Sequence, residues 1–174
     1  MRRGTDIPYD ELELRIQTAQ RSAAAAASRA EARGFYMGVW DSLPEVGHSW
    51  HRCLLAHLLA DVQDDVENEL AWDRESLRLA GSVAADSTPH RMERDLQRAR
   101  EAYSSIYLSL AWCEFRRGNM RESLAYLRSS ADTSLVVPPG RYRIGLVAAI
   151  DTMRARIERG TGGEVTITLP AEDS

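Results

Sequence analysis

A chain of 174 residues with 44% hydrophobic and 28% charged side chains has enough apolar surface to offset chain entropy, which excludes disorder over its whole length. A net charge of -4 lacks the basic surplus that neutralises phosphates, so neither nucleic acid nor an anionic membrane surface is an expected partner. All 22 basic residues are arginine, and the bias runs through the whole chain, so it reads as the codon usage of a high-GC genome rather than selection for bidentate pairing.

The N-terminal stretch MRRGTDIPYDELELR has two arginines with no apolar run behind them, unlike a secretory signal. The longest low-charge stretch, SAAAAASRAEA, is too short to cross a bilayer, and the expected compartment is the cytoplasm. Asp6, Pro8 and the acidic Asp10 and Glu11 mark a helix start. Leu12, Ile16, Ala19, Ala23, Ala26 and Ala30 follow at three- and four-residue spacing, which predicts one helix ending near Gly34. Its small end either lies tight against a neighbour or reflects helix propensity alone.

FYMGVWDSLPEVGHSW, broken by Gly38, Pro44 and Gly47, predicts a short helix and a turn, with Phe35, Trp40 and Leu43 as core or lid. From Trp50 to about Gln63 apolar residues fall on more than one face, so this helix is expected to be central. Asp64 and Asp65 form a turn, and a second helix runs through Leu70, Trp72, Leu77 and Leu79 to about Ala84. Residues 86 to 89, Asp-Ser-Thr-Pro, are loop chemistry.

A long helix, about Met92 to Arg117, carries Leu96, Ala99, Tyr103, Ile106, Leu110 and Cys113 on one stripe and stops at Gly118-Asn119. The next, about Met120 to Asp132, sets Met120, Leu124 and Leu127 on one face. After the Pro138-Pro139-Gly140 break, a last helix from about Arg141 to Arg159 carries Leu146, Ile150, Met153 and Ile157, and Gly160, Gly162 and Gly163 stop it. The alternating tail EVTITLPAEDS is expected to be flexible or to add a strand to a partner. The organisation is then one helical domain over 1–160 and a flexible tail over 161–174. Cys53 and Cys113 lie inside these apolar helical patterns, as buried free thiols do.

The stretch YLSLAWCEFRRGNMRESLAYLRSSADTSLVVPP, from Tyr107, resembles a tetratricopeptide repeat. Tyr107, Leu110, Ala111, Gly118, Met120, Ser123, Leu127 and Ser130 occupy the pattern's aromatic, Leu-Ala, turn-glycine and alternating large and small places, while Glu114 stands where the pattern prefers tyrosine. WHRCLLAHLLADVQDDVENELAWDRESLRLA looks like a degenerate earlier repeat, with acidic residues in place of the turn glycine. The whole is similar to small stand-alone repeat proteins of high-GC bacteria. The resemblance implies an all-α stack of antiparallel helical hairpins, about six to seven helices, with the helix from Arg141 as a C-terminal cap and a concave face for a peptide or protein.

Three constellations bear on function. His57 and Asp61 lie one helical turn apart, with His48, His51 and Cys53 nearby, so they can form a hydrogen-bonded pair, a ligand-binding polar cluster or an acid–base couple. The histidine spacing matches no zinc signature, so no metal is expected. The acidic run from Asp61 to Glu75 lacks the spacing of a calcium loop and reads as a solvated turn or as a patch for a basic peptide. Trp112 and Arg116 are residue types that concentrate at binding hot spots, although Trp112 fits equally well as core. No motif for a nucleophile, phosphate loop or cofactor is present.

Two function classes follow. One is an interaction module that binds a protein or peptide partner through His51, His57, Asp61, Trp112 and Arg116. The other is a small-molecule or metal-binding protein, or an enzyme, built on His57 and Asp61, and the balance favours the first. Homo-oligomerisation through an uncapped stack end is a further expectation.

Overall fold

The computed structural model describes residues 7–44, 47–86 and 89–159. Among them are seven α-helices: α1 (Tyr9–Ala24), α2 (Arg29–Trp40), α3 (Ser49–Asp61), α4 (Val66–Asp86), α5 (Pro89–Arg116), α6 (Met120–Thr133) and α7 (Arg141–Arg159). A single 3-10 turn, Ser134–Val136, follows α6, and no strand occurs among the described residues. The described residues form an all-α fold, as the periodicity predicts. No described helix is long and apolar enough to cross a membrane. Asp6, Gly160 and the alternating tail lie outside the described residues. By their contacts the residues form two units, Met1–Leu96 and Gln97–Ser174.

In the first unit, α1 pairs with α2 and α3 with α4, and α3 also touches α1 and α2. The expectation of a central α3 holds, since it buries Trp50, Cys53, Leu55, Ala56, Leu59 and Ala60 on several sides. The core joins Leu12, Ile16 and Ala19 of α1 to Tyr36, Leu43, Leu55 and Leu59. Trp40 meets Trp72 edge-on, with ring centroids 5.0 Å apart. At the first residue of α1, the Tyr9 hydroxyl donates to the buried carboxylate of Asp95, in the second turn of α5. The guanidiniums of Arg91 and Arg94 lie over the Tyr9 ring at 4.3 and 4.6 Å.

The single helix expected to end near Gly34 is two helices, because the chain turns between Ala24 and Arg29. The turn is held by two side-chain caps at the start of α2. Ser28 Oγ accepts from the Glu31 amide at 3.2 Å, and Glu31 Oε2 accepts from the Ala27 amide at 2.8 Å. These bonds satisfy amides that alanine's helix propensity cannot, so the cap overrides the alanine run. Ser28→Ala is expected to cost about 1 kcal/mol, read as a lowered denaturant midpoint with an unchanged slope.

The new start of α2 also serves α3. Arg29 Nη1 donates to the Gln63 carbonyl at 3.3 Å, Arg33 Nη1 to the Val62 carbonyl at 3.1 Å, and Arg33 Nη2 to Asp64 at 2.7 Å. Two cations thus meet the carbonyl-rich end of a helix, where its dipole favours them.

In the second unit, small residues let α5 and α6 approach closely. Ser123 Oγ donates to the Ala111 carbonyl at 2.8 Å, and Ser104 and Ser130 each donate to the other's carbonyl at 2.8 Å. The pairs run in antiparallel order, and all three serines are buried. Gly118 turns the chain with φ +81, a conformation open to glycine without strain. Buried Glu114 accepts from Arg117 at 2.8 Å and from the Asn119 side chain at 2.7 Å, so it ties the turn together. α7 docks through Leu146, Ala149, Ile150 and Met153 onto Leu108, Ala111, Trp112, Phe115, Leu127 and Val137.

Candidate functional site

α3 presents His57 toward α4, not toward its own next turn. His57 Nδ1 lies 2.9 Å from Oδ1 of Asp73, whose side chain is fully buried, while His57 keeps a side-chain exposure of 15%. The expected hydrogen bond from His57 to Asp61 is therefore replaced by one across the hairpin. Neighbours one turn apart on a helix surface sit about 5 to 6 Å apart at Cβ, and the facing helix offers a closer acceptor. Asp61 stays exposed at the rim.

Burial by itself would lower the His57 pKa. The hydrogen bond to Asp73 and the negative charges of Asp61, Asp73 and Glu69 outweigh it and push the group up to about 9. Burial raises Asp73, and the bond to His57 opposes that shift. Asp73 Oδ2 has no hydrogen-bond partner among the described residues. Chemically this is a buried imidazolium–carboxylate pair that locks α3 to α4. Nearby, Ser76 Oγ donates to the Cys53 carbonyl at 2.9 Å and adds a second buried tie between the same helices.

The other sequence-derived residues separate. His51 is 1% exposed, faces the ring of Tyr9 edge-on at 4.4 Å and sits 3.9 Å from Glu13, so it is an interior side chain and not part of a groove surface. Trp112, 7% exposed, belongs to the core of the second unit, with Phe115 edge-on at 5.8 Å and the Arg156 guanidinium over its ring at 5.4 Å. Arg116 is exposed, and its Nη2 reaches Cys113 Sγ at 3.7 Å. His51, His57 and Asp61 thus belong to the first unit, Trp112 and Arg116 to the second, and only His57 and Asp61 share a polar neighbourhood.

A surface that the apolar stripes do not reveal lies between α1 and α2. An open groove of about 480 Å³ is lined by Leu14, Ala19, Phe35 and Val39, with Thr18 and Ser22 beside them and the Glu11–Arg15 ion pair on the rim. Leu14 is 58% and Phe35 39% exposed. The volume falls in the range of sites that hold a small ligand or a few side chains, about 300 to 1,000 Å³. Leu14 is out of register with the buried Leu12–Ile16 stripe, and Phe35 and Val39 lie one turn apart on α2. That misfit was the available signal, and the stripe reading passes over it. No protein family matches the chain by its family profile, no curated protein matches it in sequence, and no solved structure matches it in fold.

Proposed function

We propose that the chain is a protein-interaction module of helical hairpins, and that its α1–α2 groove receives the apolar face of an amphipathic helix from a protein partner. The observation that carries this reading is the open groove itself, with Leu14 and Phe35 exposed on either side of its floor. Its walls are helices whose backbone groups are bonded internally, so recognition falls to side chains and not to strand addition. A partner helix with apolar residues at three- and four-residue spacing fits such walls. The rim charges of Glu11 and Arg15 already satisfy one another, which favours an apolar ligand over a charged one.

The tetratricopeptide-type reading supports the same class of function. Ala111, Ser123 and Ser130, the small positions of that pattern, are where α5 and α6 exchange hydroxyl–carbonyl bonds. The His57–Asp73 pair is spent within the hairpin, which weighs for a structural part there and against a catalytic one.

Selection of a displayed peptide library on the intact chain tests the groove, with Leu14→Glu plus Phe35→Ser as the comparison. Both residues are exposed, so the variant is expected to keep its helicity by circular dichroism. Enriched peptides should carry helical apolar spacing and lose at least about tenfold in affinity on the variant, as removal of central apolar contacts does. Peptides that bind both forms equally would sink the groove reading.

A further inference from the structure

We propose that the outer face of α7 is a self-association surface, on which a second copy of this chain docks its own α7 antiparallel to the first. Leu146, Ala149, Ile150 and Met153 face inward. The opposite face carries Arg141, Ile144, Ala148 and Asp151, all exposed. Their intervals of three, four and three residues are the seam spacing of two packed helices. Ile144 is 71% exposed, and Val147 flanks it at 39%. In the 3-10 turn Leu135 and Val136 are also exposed, at 70% and 49%. A cluster of large apolar side chains this open marks a contact surface.

The seam identifies its partner. In an antiparallel pair centred at the level of Leu146, Ile144 falls opposite Ala148 and Arg141 falls opposite Asp151, and the two-fold axis repeats both matches. A large residue then meets a small one, and a cation meets an anion, with no mismatch along the seam. Arg141 has no ion-pair partner among the described residues and stands in the first turn of α7, where the helix dipole disfavours a cation. A facing carboxylate removes that conflict. Asp151 is held at 2.7 Å from Arg154 on the exposed side of the helix, and its carboxylate has a second oxygen for a further cation. This inference does not depend on the α1–α2 groove.

Sedimentation or light scattering of the full chain from low to high micromolar concentration provides the test. The intact chain should pass from monomer to dimer. Ile144→Glu should raise the dissociation constant about a hundredfold, because each dimer carries the lesion twice. Arg141→Glu and Asp151→Arg should each weaken the dimer by setting like charges opposite one another, and the two together should restore it. All three positions are exposed, and melting curves would confirm that the variants fold. A monomer at every concentration, a dimer indifferent to Ile144→Glu, or a double reversal no better than the single ones would each overturn the proposal.

Discussion

His57→Ala should destabilise the first unit by about 3 to 5 kcal/mol, the range for removing one member of a buried ion pair. The cost comes mostly from what is left behind. Asp73 has no solvent exposure, and its second oxygen already has no hydrogen-bond partner among the described residues, so the variant strands a carboxylate with nothing to offset its desolvation. Replacing both residues, His57→Leu with Asp73→Leu, should recover most of the loss, since a well-packed apolar pair replaces the charges without stranding either one. Equilibrium denaturation of the wild type, the single and the double variant measures this directly. A single variant within about 1 kcal/mol of wild type would show that the pair does not hold the hairpin.

The same pair fixes a pH dependence with a definite sign. The folded imidazole titrates near 9, above its ordinary 6.5, so its stabilisation is complete below pH 6.5 and is lost as the pH rises through 9. Asp73, raised by burial, acts in the same direction, because the folded chain again holds a proton that the unfolded chain releases. Stability should therefore fall from pH 3.8 to 9, first through Asp73 up to about 7 and then through His57 above 6.5, and Asp73→Asn, which keeps an acceptor but removes the charge, should flatten that fall.

Leu146→Ala should cost the second unit about 2 to 5 kcal/mol. Leu146 is completely buried and joins α7 to Leu108, Trp112, Phe115 and Leu127 through the core they share. Truncation removes that apolar burial and leaves a cavity that rigid helical neighbours cannot fully collapse. Because α7 contributes its core face as a block, its amides should lose hydrogen-exchange protection before those of α5. Ile144→Ala, two positions earlier and 71% exposed, should leave stability within about 0.5 kcal/mol in dilute monomer. A larger loss at Ile144 than at Leu146 would mean that α7 docks by its other face.

Long apolar stripes were legible because helical periodicity and core burial express the same geometry. Leu146, Ile150 and Met153 sit at three- and four-residue spacing and are all buried, and α7 begins where Pro138-Pro139-Gly140 says it should. The break after Ala24 was legible too, in Ser28 and Glu31, but the alanine run masked it because alanine continues a helix anywhere. The partner of His57 was not legible. Asp61 is its neighbour in sequence, whereas Asp73 is its neighbour only once α3 and α4 are packed in one register. Trp112 shows the complementary limit: periodicity places a residue on a helix face, and a tryptophan on an inner face becomes core rather than contact surface. The α1–α2 groove escaped because its sign, a leucine out of register with the buried stripe, is equally common on solvated helix faces.

The bond between Tyr9 and Asp95 has a consequence for how the protein is made. The α1–α2 and α3–α4 hairpins can each close from contacts between near neighbours, as soon as their residues leave the ribosome. Tyr9, which emerges before either hairpin is complete, must wait for an acceptor 86 positions downstream. Its ring also waits for Arg91 and Arg94. The first unit is thus assembled early and latched late, and a chain stalled before the start of α5 would hold its hairpins with one end unfastened.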